Sequence, residues 1–444
     1  MPPPRESPVP GPVLIRGARV IDPRERRLET RDVLLEAGVV ARIAADIAPP
    51  AGAEVLDAPG RILLPGWIDI QVNDIAWLAR GISDPAETEA RVREVAAYQA
   101  ARGVTGIVLA TLAAPIEEVI AYLRGVRRVL DAPASPPDHA LIGALVEGTF
   151  MNPALSGAQN PRWVLPPDLL VLDRLVETGA VRLLNVAPET GPDALRVIES
   201  ATRRGIIVGS GHAKPHARTL REAVKAGLRY VIHLGNGPTG SSLKAFEDGG
   251  MLEESLRNDD LIVSIILDGI HIDPRLARDW IARKEVRRVV AVSDAGFALG
   301  APPGAFEVLG IRGERSACGK YLRVVPPAGA PVPNPRSSDF GALFGSAAAM
   351  QDIFANALNL FTSDMEGIYH RRHAPMGFEE ALDAASALCS RNPAALLGLE
   401  SRGDLATGHR ADLVLVEIHG EPGAHEVAVL RTWVAGATVA ERTP

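Results

Sequence analysis

The sequence predicts a (β/α)8 TIM-like barrel to which both ends of the chain add a small β-sandwich. Three observations carry this prediction: eight short apolar runs separated by amphipathic stretches, polar residues that follow the runs, and β-rich termini. Each run is almost continuously apolar, as expected for parallel strands buried on both faces. Eight strand–helix units is the number found in this type of barrel. The runs cover residues 63–70, 106–111, 140–146, 181–187, 206–209, 229–232, 261–267 and 288–292.

The two ends of the chain have a different pattern from the middle. Short β-rich segments with glycine turns occur before the first run and again near the carboxyl terminus. Neither end could form a core alone, so we expect residues 1–62 and 405–444 to pair into one β-sandwich. The barrel then takes residues 63–404. A Pro- and Gly-rich stretch at about 301–339 is expected to leave the barrel as a hairpin over the pocket mouth.

The composition narrows the class of protein. The 444 residues are 47% hydrophobic and 23% charged, which is typical of a soluble globular enzyme. A net charge of −7 without a basic tract argues against nucleic acid as a partner, and no run approaches the ~20 apolar residues of a membrane span. Cys318 and Cys389 have no C-x-x-C spacing. We therefore expect a cytoplasmic protein with reduced thiols that acts on a small molecule.

Polar residues collect at the ends of the apolar runs. The carboxyl ends of barrel strands form the rim on which active sites are built. The chain has only ten histidines, yet three follow runs five, six and seven closely, so chance placement is a poor explanation. We expect the active site on this rim. Its residues, in chain order, are Gln71, Asn73, Glu147, Glu189, His212, His233, Asp268, His271 and Asp294.

One subset of these residues is suited to a catalytic metal. Glu147, His212 and His233 supply one carboxylate and two imidazoles, and catalytic zinc sites keep three protein ligands with a position open for water. A metal held there would lower the pKa of water towards ~7 and polarise a carbonyl group. Hydrolysis of an amide also needs a group that moves protons, and the carboxylate of Asp294 is the candidate.

The first strand argues for one metal ion rather than two. Gln71 and Asn73 are two residues apart, so both side chains point into the barrel mouth. A His-x-His pair at this place would hold a second metal, whereas neutral amides are weak ligands for Zn²⁺. We expect Gln71 and Asn73 to donate or accept hydrogen bonds near the metal, and the cofactor to be one divalent ion, with zinc preferred.

Several segments resemble the amidohydrolase superfamily, in the variant found in N-acetylglucosamine-6-phosphate deacetylases. The first-strand sequence PGWIDIQVN at residues 65–73 is similar to that family's motif. Toward the carboxyl terminus, NPA, GDLATG and ADLV are similar to the chain's return into the superfamily's β-sandwich. Between them, EG at 147, GHA at 211, HLGN at 233, DGIH at 268 and SDA at 293 match in order.

The resemblance assigns roles to individual residues. It implies that Glu147, His212 and His233 bind the metal and that Asp294 is catalytic. It also implies that the chain forms a homodimer, in which His271 reaches the sugar phosphate across the interface. The backbone amides near Asn236 and Gly237 would complete the phosphate pocket, together with the cation of Lys244.

The chain departs from this family where substrate is recognised. Gln159 stands in place of a substrate-contacting histidine, and basic residues are absent around Leu155. Lys244 replaces the usual arginine and cannot grip phosphate bidentately. The chemistry is retained, but the recognition of the ligand is altered.

Three hypotheses follow. The first is hydrolysis of an N-acyl group, expected to be N-acetyl, from an amino sugar or an amino sugar phosphate by metal-activated water. The second is hydrolysis of another small amide, a cyclic imide or an N-acyl amino acid. The third is a catalytically silent homologue used for binding, against which the complete set of Glu147, His212, His233 and Asp294 argues.

Overall fold

A closed barrel of eight parallel strands confirms the predicted fold class. The computed structural model describes residues 11–22, 25–73, 85–236, 248–296, 303–325, 342–366 and 371–442. The barrel strands are Trp67–Asn73, Val104–Ala110, Leu141–Phe150, Val181–Val186, Ile207–Ser210, Tyr230–Val231, Ile262–Ile266 and Val289–Val292.

Hydrogen bonds between the first and last strands close the barrel. The Asn73 N–H donates to the Ala295 carbonyl over 2.8 Å, and Val72 and Ala295 form a parallel bridge. Side chains reinforce the same seam, because the Ser293 hydroxyl donates to the carboxylate of Asp69. The seam therefore brings the first strand against the residues that flank Asp294.

One described helix follows each barrel strand and covers the outside of the barrel. The helix Ile116–Asp131 illustrates why, because its buried Val119, Leu123 and Val126 recur at helical spacing and form one apolar face. Among the described helices, none has both the length and the apolar composition for crossing a membrane. The eight helices are Pro85–Ala100, Ile116–Asp131, Leu169–Val176, Ala194–Arg203, Ala217–Ala226, Met251–Arg257, Pro274–Lys284 and Met350–Thr362. Phe378–Ser386 and Asn392–Leu397 follow, joined by the π-helical turn Ala387–Arg391.

Strands from both ends of the chain form one eight-stranded mixed sheet beside the barrel. Alternate residues face opposite ways: Leu63 and Leu415 join Trp433 in the sheet's own core, whereas Leu64 and Val416 pack into the barrel core. The strands are Val13–Ile21, Leu28–Glu36, Val39–Ala44, Glu54–Asp57, Ile62–Pro65, Leu413–His419, Glu426–Val434 and Ala437–Glu441.

The first predicted run, residues 63–70, is two strands rather than one. Ile62–Pro65 pairs with Leu413–His419 in the terminal sheet, and the barrel begins at Trp67–Asn73. Gly66 lies between the two strands. A larger residue would not fit there, because a Cβ at this position would lie 2.2 Å from the Thr105 side chain. Residues 63–65 thus lie in the terminal sheet although the predicted boundary assigns them to the barrel. The division of the chain into domains stays a prediction.

The predicted hairpin excursion is a four-stranded antiparallel sheet in the described residues. Its strands are Gly304–Val308, Ile311–Arg315, Tyr321–Val324 and Leu343–Ser346, so the sheet extends beyond residue 339. Its last strand is attached to the barrel, because the Ser346 N–H donates to the Asp294 carbonyl over 2.8 Å. The attachment places this inserted sheet at the mouth of the barrel.

Asp412 joins the terminal sheet to the barrel. Its buried carboxylate forms an ion pair with Arg402 at 2.7 Å, and its Oδ1 accepts from the Ala435 N–H over 2.8 Å. Its carbonyl accepts from the Gly66 N–H, between the two strands of the split run. Arg402 in turn donates to the Thr105 carbonyl in the second barrel strand. One carboxylate therefore connects both sheets.

Replacing this carboxylate should destabilise the whole chain. We expect Asp412→Ala to lower the free energy of unfolding by about 3–5 kcal/mol, since it leaves the buried Arg402 without a counter-charge. Chemical unfolding followed by circular dichroism measures the change. Glu199→Ala is the control, because its pair with Arg203 is exposed and worth less than about 1 kcal/mol. Equal effects of the two variants would contradict the assigned role.

Candidate active site

A cavity of about 780 Å³ opens at the carboxyl ends of the barrel strands. This volume suits a small ligand. Leu343, Phe344 and Gly345 of the inserted sheet form part of its wall. Eight of the predicted site residues line it, namely Asn73, Glu147, Gln159, His212, His233, Asn236, His271 and Asp294.

Glu147, His212 and His233 converge on one point of the cavity. The Oε1 atom of Glu147 lies 3.0 Å from Nε2 of His233 and 3.2 Å from Nε2 of His212. The two imidazole rings meet edge to face with their centroids 4.9 Å apart. One ligand atom from each residue lies within 4.8 Å of the others. This donor set fits one divalent metal ion with a position left open.

The backbone around His212 selects the nitrogen that can bind a metal. Nδ1 of His212 lies 2.8 Å from the Leu155 carbonyl, which can only accept a hydrogen bond. Nδ1 therefore carries a proton, and Nε2, which faces Glu147, is the nitrogen that a metal ion would bind in place of a proton. Gly157 allows this loop to come close, because a Cβ there would lie 3.2 Å from the His212 ring.

Three polar residues inside the barrel strands hold the backbone around Glu147, His212 and His233 in place. Asn185 donates to the Glu147 carbonyl over 2.9 Å and accepts from the Gly211 N–H over 2.8 Å. Ser264 accepts from the His233 N–H over 2.8 Å, and Tyr230 donates to the same hydroxyl over 2.6 Å. These three residues were not predicted from the sequence. The available signal was a polar residue inside an otherwise apolar run, as with Asn185, Ser264 and Asp69.

The site stores backbone strain. His212, His233 and Asp294 have φ values of +49°, +33° and +49°, in a region that residues other than glycine rarely adopt. Each follows the end of a barrel strand. In the described residues only nine non-glycine positions have a positive φ, and three of them are these. Such strain persists only where the surrounding structure fixes it, and it is frequent at active sites.

The neighbours of Glu147 and Asp294 move their pKa values apart. Burial opposes ionisation of Glu147, but hydrogen bonds from His212 and His233 outweigh it and lower its pKa to about 2. Burial and the negative charge of Glu147 raise the pKa of Asp294 to about 6. Burial favours neutral His212, but the contact with Glu147 prevails and raises its pKa. Two carboxyl groups with separated pKa values suit different roles, here a fixed anion and a proton carrier.

The first strand contributes amides and no imidazole to the site. Asn73 donates through Nδ2 to Oδ1 of Asp294 and so orients that carboxylate. Gln71 is fully buried, and neither polar atom of its amide has a partner among the described residues. A polar group bound nearby would satisfy this amide, since a buried amide without a partner is costly.

Two further side chains are held in defined orientations at the cavity wall. Oε1 of Gln159 accepts from the Ala113 N–H over 2.6 Å, which leaves its NH₂ group as the donor for a ligand. Nδ1 of His271 lies 2.7 Å from Asp268, whose carboxylate also accepts the His271 N–H over 2.9 Å. The remaining nitrogen of His271, Nε2, can therefore meet a ligand. Gly148 permits close packing here, because a Cβ would lie 1.9 Å from the Ala113 nitrogen.

The remaining predicted positions divide into three groups. His271 lines the cavity of its own chain, and its reach into a partner's site across a dimer interface stays a prediction. Glu189 is not at the cavity: it accepts from the Asn152 side chain over 3.0 Å and organises the loop behind His212. Gly237 and Lys244 lie outside the described residues.

Comparisons with known proteins confirm the resemblance to amidohydrolases and the predicted enzyme class. The model of the amidohydrolase family matches residues 344–440. N-acetylglucosamine-6-phosphate deacetylase of Lysinibacillus sphaericus is 24% identical over 92% of this chain and 94% of its own length. The deacetylase of the same name from Homo sapiens is 29% identical over 91% of this chain and 87% of its own.

The fold agrees with that of a solved deacetylase. A mutant of N-acetyl-D-glucosamine-6-phosphate deacetylase from Mycobacterium smegmatis, in complex with N-acetyl-D-glucosamine-6-phosphate, superposes with a TM-score of 0.76. The match covers 97% of this chain and all of that one, at 23% identity. The barrel and its terminal strands are therefore shared over almost the entire chain.

Removing the Glu147 carboxylate should greatly reduce the metal content of the protein. We expect the purified wild-type protein to hold about one divalent ion per chain and Glu147→Ala to hold well below half of that, because catalytic sites need three protein ligands. Elemental analysis by mass spectrometry gives the ratio. His216→Ala is the control, since this exposed histidine precedes the helix Ala217–Ala226 and is not in the cluster. A metal content that is unchanged in Glu147→Ala would remove it from the ligand set.

The raised pKa of Asp294 predicts a pH-dependent stability effect in the metal-free protein. A carboxyl with a folded pKa of about 6 and an ordinary value of 3.8 destabilises the fold increasingly as pH rises through this window. Asp294→Asn should then be more stable than wild type by about 3 kcal/mol at pH 8 and by about half of that at pH 5. Unfolding in chelator at both pH values measures the difference. No gain at pH 8 would contradict the burial cost assigned to Asp294.

Proposed function

We propose that this amidohydrolase hydrolyses the N-acetyl amide of an amino sugar phosphate and releases acetate and the free amine. The single observation that carries the proposal is the meeting of Glu147, His212 and His233 with Asp294 in one cavity. The reaction is the one for which relatives that align over about nine-tenths of the chain are named.

Glu147, His212 and His233 would hold the metal ion. Zinc is the proposed metal, because one carboxylate and two neutral imidazoles are a usual catalytic donor set for it. When bound, the ion would act as a Lewis acid towards the amide carbonyl and make water a stronger nucleophile at neutral pH. Metal and proton compete for His212, whose protonated form Glu147 favours, so metal affinity should fall in acid.

Asp294 carries the proton through the reaction. Its pKa of about 6 in the metal-free site leaves Asp294 mostly ionised at neutral pH, and a bound cation would favour the ionised form further, so Asp294 can accept a proton from the attacking water. The bond from Asn73 to Oδ1 leaves Oδ2 as the oxygen that takes this proton. As the C–N bond breaks, protonated Asp294 gives the proton to the leaving nitrogen. Oxygen from water ends in acetate, and the amine leaves protonated or neutral according to pH.

Three hydrogen-bond donors at the cavity wall suit the hydroxyl or phosphate oxygens of a sugar. They are the NH₂ group of Gln159, Nε2 of His271 when both of its ring nitrogens carry a proton, and Nδ2 of Asn236. Asn236 Nδ2 is buried and has no partner among the described residues. A ligand oxygen would satisfy it, since buried donors are rarely left unpaired.

A second candidate is hydrolysis of an uncharged amide, such as an unphosphorylated amino sugar, a cyclic imide or an N-acyl amino acid ester. One observation favours it: the described residues that line the cavity include no lysine or arginine. Gln159 also replaces an ionisable imidazole by a neutral amide. Lys244, the cation proposed for the phosphate, lies outside the described residues.

The proposal includes two wider expectations. The protein acts as a homodimer, as the family resemblance implies, and it works in the cytoplasm. Both cysteines are unbridged, which suits a reducing compartment.

A substrate panel tests the proposal. Hydrolysis by the zinc-loaded protein is followed as acetate release for N-acetyl compounds and as ring opening for cyclic imides. It should be fastest with an N-acetylhexosamine 6-phosphate, slower with free N-acetylhexosamines, and slowest with cyclic imides and N-acetyl amino acid esters. Fastest hydrolysis of any of the three unphosphorylated classes would replace the proposal by the second candidate. Failure with every compound would favour a catalytically silent protein.

The role of Asp294 has its own test on the best substrate. We expect Asp294→Asn to keep its metal and lose about 10²–10⁴ in kcat, the usual worth of a general acid–base. Asp279→Asn is the matched control, because Asp279 pairs with Arg283 on the outer helix Pro274–Lys284. An unchanged kcat in Asp294→Asn would exclude it as the proton carrier.

A further inference from the structure

Two buried side chains beneath Asp294 have no part in metal binding or proton transfer. Asp69 lies in the first barrel strand and Ser293 directly precedes Asp294, and both are at most 1% exposed. We infer that Asp69 and Ser293 are positioning residues that hold Asp294 in the orientation that proton transfer requires. The inference rests on the proposed function and extends it to residues that do not touch the substrate.

Ser293 bonds to two neighbours, Asp69 and Ala295, through its single hydroxyl. Its proton is donated to Oδ2 of Asp69, and its oxygen accepts from the Ala295 N–H over 3.0 Å. The Ser293 N–H points at Oδ1 of Asp69 over 3.4 Å. Ser293, before Asp294, is thus bonded directly to the Asp69 carboxylate on the neighbouring strand. Ala295, after Asp294, is linked to the same carboxylate through the Ser293 hydroxyl.

Asp69 has few other contacts that could explain its presence. Its Oδ1 also accepts from the Gln71 N–H over 3.2 Å, and burial raises its pKa to about 7. A buried ionisable group is rarely the most stable choice, because an apolar residue of similar size usually stabilises the fold more. Its presence at this buried position is explained by a task that needs an acceptor there, namely holding the Ser293 hydroxyl.

Asp294 needs such support because its backbone is strained. Its φ of +49° is in a region that residues other than glycine rarely adopt, so the peptide would relax without external bonds. The bonds that prevent this come from both sides: Asn73 donates to the Ala295 carbonyl, and Ser346 donates to the Asp294 carbonyl. The Ser293–Asp69 link is the part of this frame built from side chains, and it can be removed by mutation.

The experiment compares Ser293→Ala with the wild-type protein on the best substrate of the panel. We expect kcat to fall about 10- to 100-fold, since a displacement of about 1 Å is enough for such a loss. KM should change less than about twofold and the metal content should stay the same. Ser293→Thr, which keeps a hydroxyl, should recover most of kcat. An unchanged kcat, or a loss that parallels loss of metal, would overturn the inference.

Asp69→Asn is the second variant, in case Ser293→Ala does not fold. In this variant an amide NH₂ group would replace Oδ2 of Asp69, the oxygen that accepts from the Ser293 hydroxyl. The Ser293 hydroxyl could no longer donate there and would have to rotate. We expect the same fall in kcat with KM and metal content retained. Ser390→Ala is the control, because this buried serine donates to the Pro65 carbonyl over 3.3 Å and is outside the frame. Its kcat should equal that of wild type, and a matching loss in the control would count against the inference.

A crystal structure of the metal-loaded Ser293→Ala protein separates this inference from the proposed function. We expect the backbone of Asp294 to relax to a negative φ, or its carboxylate to lose the hydrogen bond from the Asn73 side chain. That result would support the positioning role even if the wild-type protein hydrolyses none of the panel. An Asp294 that superposes on the wild-type residue would overturn the role, whatever the substrate is.

Discussion

The buried carboxylate of Glu147 is the interaction on which the site depends. Removing an ionised carboxylate from water costs several kcal/mol unless partners compensate. Here both partners, His212 and His233, meet the same oxygen, at 3.2 and 3.0 Å. Two imidazole nitrogens and one carboxylate oxygen thus face one another at one buried point of the cavity. They are a good arrangement for a cation, which would satisfy all three groups at once.

The barrel holds this arrangement through polar residues inside its strands. Asn185 connects the strand of Glu147 to the turn before His212, and Ser264 holds the backbone of His233. Because the barrel strands are parallel, these residues lie near the same ends of neighbouring strands. Each side-chain bond therefore fixes the position of one strand end relative to its neighbour. The positive φ values of His212 and His233 follow from this frame, because the turns must bend sharply to bring both rings onto Glu147.

Much of the fold and the rim was predictable, because apolar runs and the polar residues after them report on burial directly. Glu147, His212, His233 and Asp294 were found in this way, and they share the cavity. Pairing across long sequence distances was not predictable. The assignment of residues 63–65 to the terminal sheet depends on strand Leu413–His419, and the role of Ser293 depends on Asp69. Periodicity along a chain carries no information on which distant partner completes a hydrogen bond.

Anomalous diffraction from crystals of the metal-loaded protein tests the central claim most directly. Data collected on both sides of the zinc edge would locate the ion without any assumption about the substrate. The account predicts one strong peak per chain, about 2.0–2.2 Å from the ligand atoms of Glu147, His212 and His233. A peak bound elsewhere, or a second peak of similar height coordinated by Gln71 and Asn73, would contradict it.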